Sequence, residues 1–234
     1  MRQEPGARAI VHRHPLWVRL THWTSAVAFV LLLVSGVAIL LALPRLFWGE
    51  TGANDAPAAF VLPLPVNLEQ TGWGRNLHFL AGWILVLNGG AYLVLGLVSG
   101  HLRRALLPDR DQLAPRHLAR ELADHARLRP ARGREALRYN ALQKLAYLVV
   151  IFILFPLMVL TGLTMSPGVT AAFPELFTLF GGRQSARTIH FMAACLLVFF
   201  LVVHVGQVFI AGAGNLMRAM ITGRFAVPRE QADA

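Results

Sequence analysis

Four long apolar runs, separated by stretches rich in charge, proline and glycine, organise this chain. They cover residues 17–43, 76–97, 141–164 and 187–210. Each reaches the roughly 20 residues that a helix needs to cross a hydrocarbon core about 30 Å thick. Within each run the apolar residues are continuous rather than alternating, which predicts helices; a barrel would need many short alternating segments. The first run follows Arg2, Arg8 and Arg13, as the apolar part of a signal peptide would, but its 18 residues from 26 to 43 lead to no small-x-small cleavage site. It is therefore read as a span. The pattern predicts a single integral-membrane domain over residues 1–234, with the fold class all-α: a transmembrane four-helix bundle.

Between the second and third runs, residues 115–128 predict a short helix, with Leu118 and Leu122 on one side and Arg116, Arg120, Glu121, Asp124 and Arg127 around the rest. Such a helix faces solvent or lipid headgroups. Trp48 and Trp73 fall near the ends of the first two spans, where interfacial aromatics are expected. No internal repeat or low-complexity tract is visible.

Composition sharpens the class. Of the 234 residues 56% are hydrophobic and 15% charged, against about 25% charged in soluble domains. The net charge of +10 could suggest nucleic acid, but in so apolar a chain Arg and Lys are expected to collect in cytoplasmic loops instead, so no nucleic-acid partner is expected. Residues 1–19, 101–144 and 215–234 together carry 18 of the Lys and Arg, and the other two loops carry 4. That asymmetry predicts a multi-pass protein with both termini in the cytoplasm, in contact with membrane lipid. The single cysteine, Cys195, excludes a disulfide framework, a cysteine-rich metal site and the C-x-x-C-H attachment of covalent haem.

Metal chemistry is left to histidine. His22, His78, His190 and His204 lie inside the spans, where an ionisable side chain marks a candidate functional site. His190 and His204 are 14 residues apart on one helix, which is about 21 Å of rise and within about 40° of the same face. Tracing each span through the bilayer puts His22 and His204 at the inner level and His78 and His190 at the outer one. Two imidazoles per level, with no carboxylate or cysteine, suit a tetrahedral zinc poorly and the two axial positions of a haem iron well. Two b-type haems are the cofactors expected. His12, His14, His117 and His125 lie in the tail and loop and are expected to be exposed and not ligands.

Small and basic residues add to the pattern. Gly36 follows His22 by 14 residues and Gly96 follows His78 by 18, so each lies near its histidine's face at the other haem level and could make room for a flat macrocycle. Gly96 with Gly100 equally forms a G-x-x-x-G helix-contact pattern. Arg19, Arg75 and Arg187 each stand three residues before a histidine, in R-L-T-H, R-N-L-H and R-T-I-H. One turn nearer the water, they could pair with haem propionates or with lipid phosphates. His204 has Gln207 in the corresponding place, three residues after it.

The stretches HPLWVRLTHW, GRNLHFLAGW, YNALQKLAYL with PLMVLTGLTMSPG, and FGGRQSARTIHF followed by HVGQVF resemble the di-haem cytochrome b membrane subunits of bacterial nickel–iron hydrogenases, formate dehydrogenases and thiosulfate reductases, within the bacterial cytochrome b-561 superfamily. The resemblance covers nearly the whole chain and is strongest to the thiosulfate-reductase type. It implies inner haem ligands at His22 and His204 and outer ones at His78 and His190. It also implies electron exchange with quinone near the inner haem and with a periplasmic redox protein, such as a molybdenum oxidoreductase subunit, near the outer one, in the bacterial inner membrane.

The resemblance assigns no quinone residue. The inner end of the third span offers Tyr139, Asn140, Gln143, Lys144 and Tyr147, polar groups able to hydrogen-bond a quinone carbonyl, although Asn140 could equally cap the helix. Two alternatives stay open: a stand-alone quinone-linked membrane oxidoreductase such as a superoxide oxidase, and a histidine-based ion or proton transporter. Against the transporter stand the scarcity of intramembrane Asp or Glu and the lack of broken-helix repeats. A homodimer is compatible with the sequence.

Overall fold

The computed structural model describes residues 8–52, 56–67, 69, 71–127 and 139–228. In chain order the elements are β1 (Arg8–His12), α1 (Leu16–Ala42), β2 (Arg45–Leu46), β3 (Phe60–Val61), α2 (Thr71–Val98) and α3 (Pro115–Ala126). After these come α4 (Ala141–Val149), α5 (Phe155–Thr164), α6 (Pro167–Ala172), α7 (Glu175–Leu179), α8 (Arg183–Ile210), α9 (Ala213–Thr222) and β4 (Arg224–Pro228). Helices long and apolar enough to cross a membrane occupy Leu16–Ala42, Gly72–Val98, Ala141–Thr164 and Arg183–Ile210.

Helix boundaries differ from the apolar runs in a consistent way. The second and fourth helices begin at Thr71 and Arg183, earlier than the expected 76 and 187, because hydropathy marks where lipid begins and not where helical hydrogen bonding begins. Gly74 lets α2 start against α1: a Cβ there would stand 3.0 Å from the Ala38 Cβ and 3.4 Å from the Ser35 carbonyl oxygen. α8 starts after Gly181 and Gly182, at φ +66 and +105. The third span is not one regular helix. A π-helical stretch, Val150–Leu154, separates α4 from α5, and Pro156 sits in the first turn of α5. Proline has no N–H for the Phe152 carbonyl and its ring crowds that group, which a locally widened turn accommodates.

Packing is that of a lipid-facing protein. Ala28, Ala38, Ala81, Ala186 and Ala193 are buried, whereas Leu87, Phe199 and Val202 are about two-thirds exposed. Small side chains bring helix backbones close and the large apolar ones face outward, where lipid takes the place of a core.

The chain divides into two compact units. The first comprises Met1–Trp23, Gly90–Val149 and Phe200–Ala234. Here β1 pairs antiparallel with β4, Arg8 opposite Pro228 and His12 opposite Arg224, a sheet absent from the all-helical expectation. Phe225, Val227 and Ala219 form its apolar core with Val11 and Leu216. Asn215 braces β4, donating from Nδ2 to the Ala226 carbonyl and accepting the Ala226 N–H, both at 2.9 Å. The loop helix α3 ends at Ala126, and its Glu121 carboxylate accepts the N–H groups of Ala141 and Leu142 at 3.2 and 3.1 Å. A carboxylate on the first turn of α4 satisfies donors that have no partner within that helix.

Gly100 closes α2 instead of extending its contact face: it adopts φ +68 beyond the last helical residue, the left-handed position that ends many helices. His14 corrects the expectation of exposure. It is 7% exposed and stacks on Tyr139 with ring centroids 6.4 Å apart, because the β1–β4 pairing holds the tail against the protein.

The second unit comprises Thr24–Gly89 and Val150–Phe199. At the start of α8 the Gly49 carbonyl accepts the N–H groups of Gln184 and Ser185 at 3.0 and 3.2 Å, and the Gly49 N–H returns to Ser185 Oγ at 2.7 Å. Thr188 Oγ1 donates to the Phe47 carbonyl at 2.7 Å. The segment after α1 is thereby fastened to the beginning of α8.

Candidate metal centres

Each unit contains one pair of facing histidines. In the first, His22 on α1 and His204 on α8 have ring centroids 6.3 Å apart and planes at 52°. Aromatic rings surround them. Trp23 meets His22 edge-on at 5.3 Å, Phe200 stacks on His204 at 5.7 Å and 17°, and Tyr147 approaches His204 edge-on at 6.4 Å. Nδ1 of His22 is buried with no hydrogen-bond partner.

In the second unit, His78 on α2 and His190 on α8 have centroids 6.2 Å apart and planes at 58°. Nδ1 of His78 lies 2.9 Å from Ser35 Oγ, and Nδ1 of His190 lies 2.9 Å from Thr161 Oγ1. Nε2 of His190 is buried without a partner. Next to each hydroxyl residue is a glycine in contact with the same ring. A Cβ at Gly36 would meet His78 Cε1 at 3.5 Å, and one at Gly162 would meet His190 Cε1 at 3.6 Å.

These pairs fit the axial positions of a haem iron. Transition-metal bonds to imidazole nitrogen are about 2 Å long. Two of them in line, with the half-width of each ring added, separate the ring centroids by about 6 Å, the spacing of both pairs. Among the described residues no group of three or more His, Cys, Asp or Glu is gathered that could hold a bare metal ion. A two-nitrogen pair leaves four positions on a six-coordinate iron, the number a macrocycle supplies.

Residues 13–223 match the family model described as prokaryotic cytochrome b561. The chain belongs to that family. It is 34% identical over 213 residues to a putative protein-methionine-sulfoxide reductase subunit, YedZ1, of Azospira oryzae, an alignment covering 90% of this chain and 96% of the relative. No solved structure matches the chain. As a prokaryotic cytochrome b561 it is a multi-pass membrane protein of electron transport, and the family implies haem b.

Two of the three arginines that precede a histidine, Arg187 and Arg19, have identifiable partners. Arg187 donates from Nη1 to the Arg45 carbonyl at 2.7 Å and from Nη2 to the Leu43 carbonyl at 2.5 Å, so its guanidinium is engaged by backbone. Arg19 Nη1 donates to the Ile221 carbonyl at 2.5 Å, beside Trp23 Nε1 on the Met220 carbonyl at 3.1 Å. Arg75 is exposed, and Gln207 is half-buried. At Gly96 the atoms nearest to a Cβ belong to Leu102, with Cγ at 2.9 Å. Among the four paired histidines, the rings met by a glycine are His78, by Gly36, and His190, by Gly162.

The polar groups at the start of α4 are likewise occupied. Gln143 N–H donates to Asn140 Oδ1 at 2.8 Å and Asn140 N–H to Gln143 Oε1 at 3.3 Å. Lys144 is 6% exposed, and its Nζ donates to the Leu107 carbonyl at 3.1 Å and to Gln112 Oε1 at 2.9 Å.

Sequence reasoning missed Ser35, Thr161 and Gly162. The signal was present as two hydroxyl–glycine dipeptides, Ser35–Gly36 and Thr161–Gly162, each inside an apolar span.

Proposed function

We propose that the chain is a di-haem cytochrome b, one membrane domain throughout, that passes electrons across the bacterial cytoplasmic membrane between quinone and a periplasmic oxidoreductase subunit. The observation carrying this reading is the presence of two histidine pairs with nearly the same centroid spacing, 6.3 and 6.2 Å, neither with a third ligand among the described residues to complete a bare-metal site. His22 with His204, and His78 with His190, would each hold one haem iron. Held there, haem b supplies one-electron redox chemistry. The protein fixes the ligands, lowers the dielectric and keeps both sites inside apolar helices. The concentration of Arg and Lys in the tails and the central loop supports cytoplasmic termini.

The relative's name, a subunit of a putative protein-methionine-sulfoxide reductase, supports a partner that reduces methionine sulfoxide; by the family resemblance that partner is a periplasmic molybdenum oxidoreductase. Reduction of one sulfoxide to the thioether and water takes two electrons and two protons. A quinol oxidised to quinone gives up the same number of each, so electrons run from quinol outward. The quinone is assigned to the side of His22 and His204, where Tyr147, Asn140, Gln143 and Lys144 lie in the same unit. A quinone carbonyl accepts hydrogen bonds, so the donors it would meet there are Asn140 Nδ2, Gln143 Nε2 and Lys144 Nζ, the last already donating to the Leu107 carbonyl and Gln112 Oε1.

A pyridine haemochrome assay on the purified chain tests the reading. The expected result is two non-covalent haems per chain, with His22→Ala and His204→Ala removing the same component in a redox titration and His78→Ala and His190→Ala removing the other. One haem or none overturns it, and an absence of haem bands returns the histidines to ion or proton transport.

A further inference from the structure

The second unit holds its two histidines by the same device twice. Ser35 Oγ donates its proton to its own helix, at 2.7 Å from the Leu31 carbonyl. Thr161 Oγ1 does the same at 2.6 Å from the Leu157 carbonyl. A hydroxyl has one proton. With that proton committed to the backbone, the oxygen faces the neighbouring ring as an acceptor, and the 2.9 Å contacts with His78 Nδ1 and His190 Nδ1 require N–H on both Nδ1 atoms. Each neutral ring then has its lone pair on Nε2, the nitrogen that is buried and unpartnered in His190. The glycine after each hydroxyl residue allows the close approach, since anything larger than a methyl would push on the Cε1 edge of the ring.

The first unit is built differently. His204 is flanked by Phe200 and Tyr147, and His22 Nδ1 is buried with no partner. α5 provides no histidine, yet through Thr161 and Gly162 it holds one, which gives the third span a part in the site.

We propose that Ser35 and Thr161 are positioning residues that lock the Nδ1–H tautomer of His78 and His190 and set the reduction potential of the iron those two histidines bind. The proposal rests on the di-haem reading above. An acceptor on Nδ1–H makes the imidazole a stronger electron donor, which favours ferric over ferrous iron and lowers the potential. Removing the acceptor raises it. Among the described residues only the second unit shows this pair of hydroxyl acceptors, so the effect is confined to one component.

The experiment uses the full chain with its haems, in the variants Ser35→Ala, Thr161→Val and the double change, followed by haem quantification and redox titration. Thr161→Val keeps the side-chain shape and removes only the hydroxyl. The expected result is two haems retained and an upward shift of the midpoint of the component that His190→Ala removes, larger in the double variant, with the other midpoint unmoved. Thr161→Ser restores the wild-type midpoint. Unchanged midpoints with both haems present overturn the proposal, as does a shift in the component assigned to His22 and His204. If Thr161→Val loses haem altogether, the decision falls to Thr161→Ser: haem retention at the wild-type midpoint supports the proposal, and a displaced midpoint overturns it. A wild-type chain with fewer than two haems defeats the di-haem reading instead, so the two failures are distinguishable.

Discussion

Asn140 and Gln143 cap each other. The Gln143 N–H donates to Asn140 Oδ1 at 2.8 Å while the Gln143 side chain accepts the Asn140 N–H at 3.3 Å, a reciprocal arrangement that satisfies a free donor at the start of α4. Replacing the asparagine by alanine is expected to lower stability by about 1 kcal/mol, measured as a fall in thermal midpoint in detergent. Asn140→Ser keeps a capping oxygen and separates the two roles open to this residue. If quinol reduces the haems at the wild-type rate in that variant, capping is its function; a slowed rate with intact spectra and stability identifies a quinone contact.

Arg187 and Arg75 both precede a histidine by three residues, but the structure separates them. Arg187 bonds the Leu43 and Arg45 carbonyls, and Arg75 is exposed. Arg187→Gln is expected to cost about 1.5–3 kcal/mol, the range for hydrogen bonds from a charged group, whereas Arg75→Gln leaves the thermal midpoint within experimental error. Both remove positive charge near the His78 and His190 pair and are expected to lower that component's potential. A redox titration in which neither moves it leaves Arg187 as a backbone clamp alone.

Glycine substitutions grade the space around the histidines and the loop. At Gly162 a methyl group would be in ordinary contact with His190, 3.6 Å from Cε1, so Gly162→Ala is expected to retain both haems and Gly162→Leu to lose the one bound by His190. Gly182 has no such tolerance. Its φ is +105 and a Cβ would overlap the Gly49 carbonyl. Gly182→Ala is expected to cost at least the roughly 1–3 kcal/mol of a strained backbone and to expose the segment after α1 to protease.

His14 predicts a pH dependence. Burial is the main cause that lowers its pKa from 6.5 to about 4, with Arg13, His101, His22 and His12 adding like-charge repulsion; the facing Tyr139 ring is stacked on it. Below the unfolded value of about 6.5 the unfolded chain binds a proton that the folded one refuses, so stability falls as pH drops from 6.5 toward 4 and then levels off. The expected loss is on the order of 1–3 kcal/mol, read as a declining thermal midpoint that His14→Gln flattens.

Much of the fold was legible because lipid imposes continuous apolar runs and because a helix converts residue number into depth. Depth along the spans pairs His22 with His204 and His78 with His190, and the structure brings the same residues face to face. Contacts made sideways were not legible. Ser35 and Thr161 bond their own helices, as mid-helix hydroxyls commonly do, and nothing in the linear order says that a histidine on another helix uses the remaining lone pair. The irregular turn before Pro156 and the burial of His14 depend on neighbours distant in sequence, and so do the bonds of Arg187 to the Leu43 and Arg45 carbonyls.

The pairing of β1 with β4 bears on how the protein is made. The partner of Arg8 is Pro228, so during synthesis the N-terminal strand must wait, unpaired, until every membrane helix has left the ribosome. Its edge is open to competing strands for that whole interval. Because the two strands lie in one sheet, the helices between them must return the polypeptide to the face of the bilayer from which it set out. Arrest of translation before Arg224 would therefore leave an inserted protein whose ends are not yet joined.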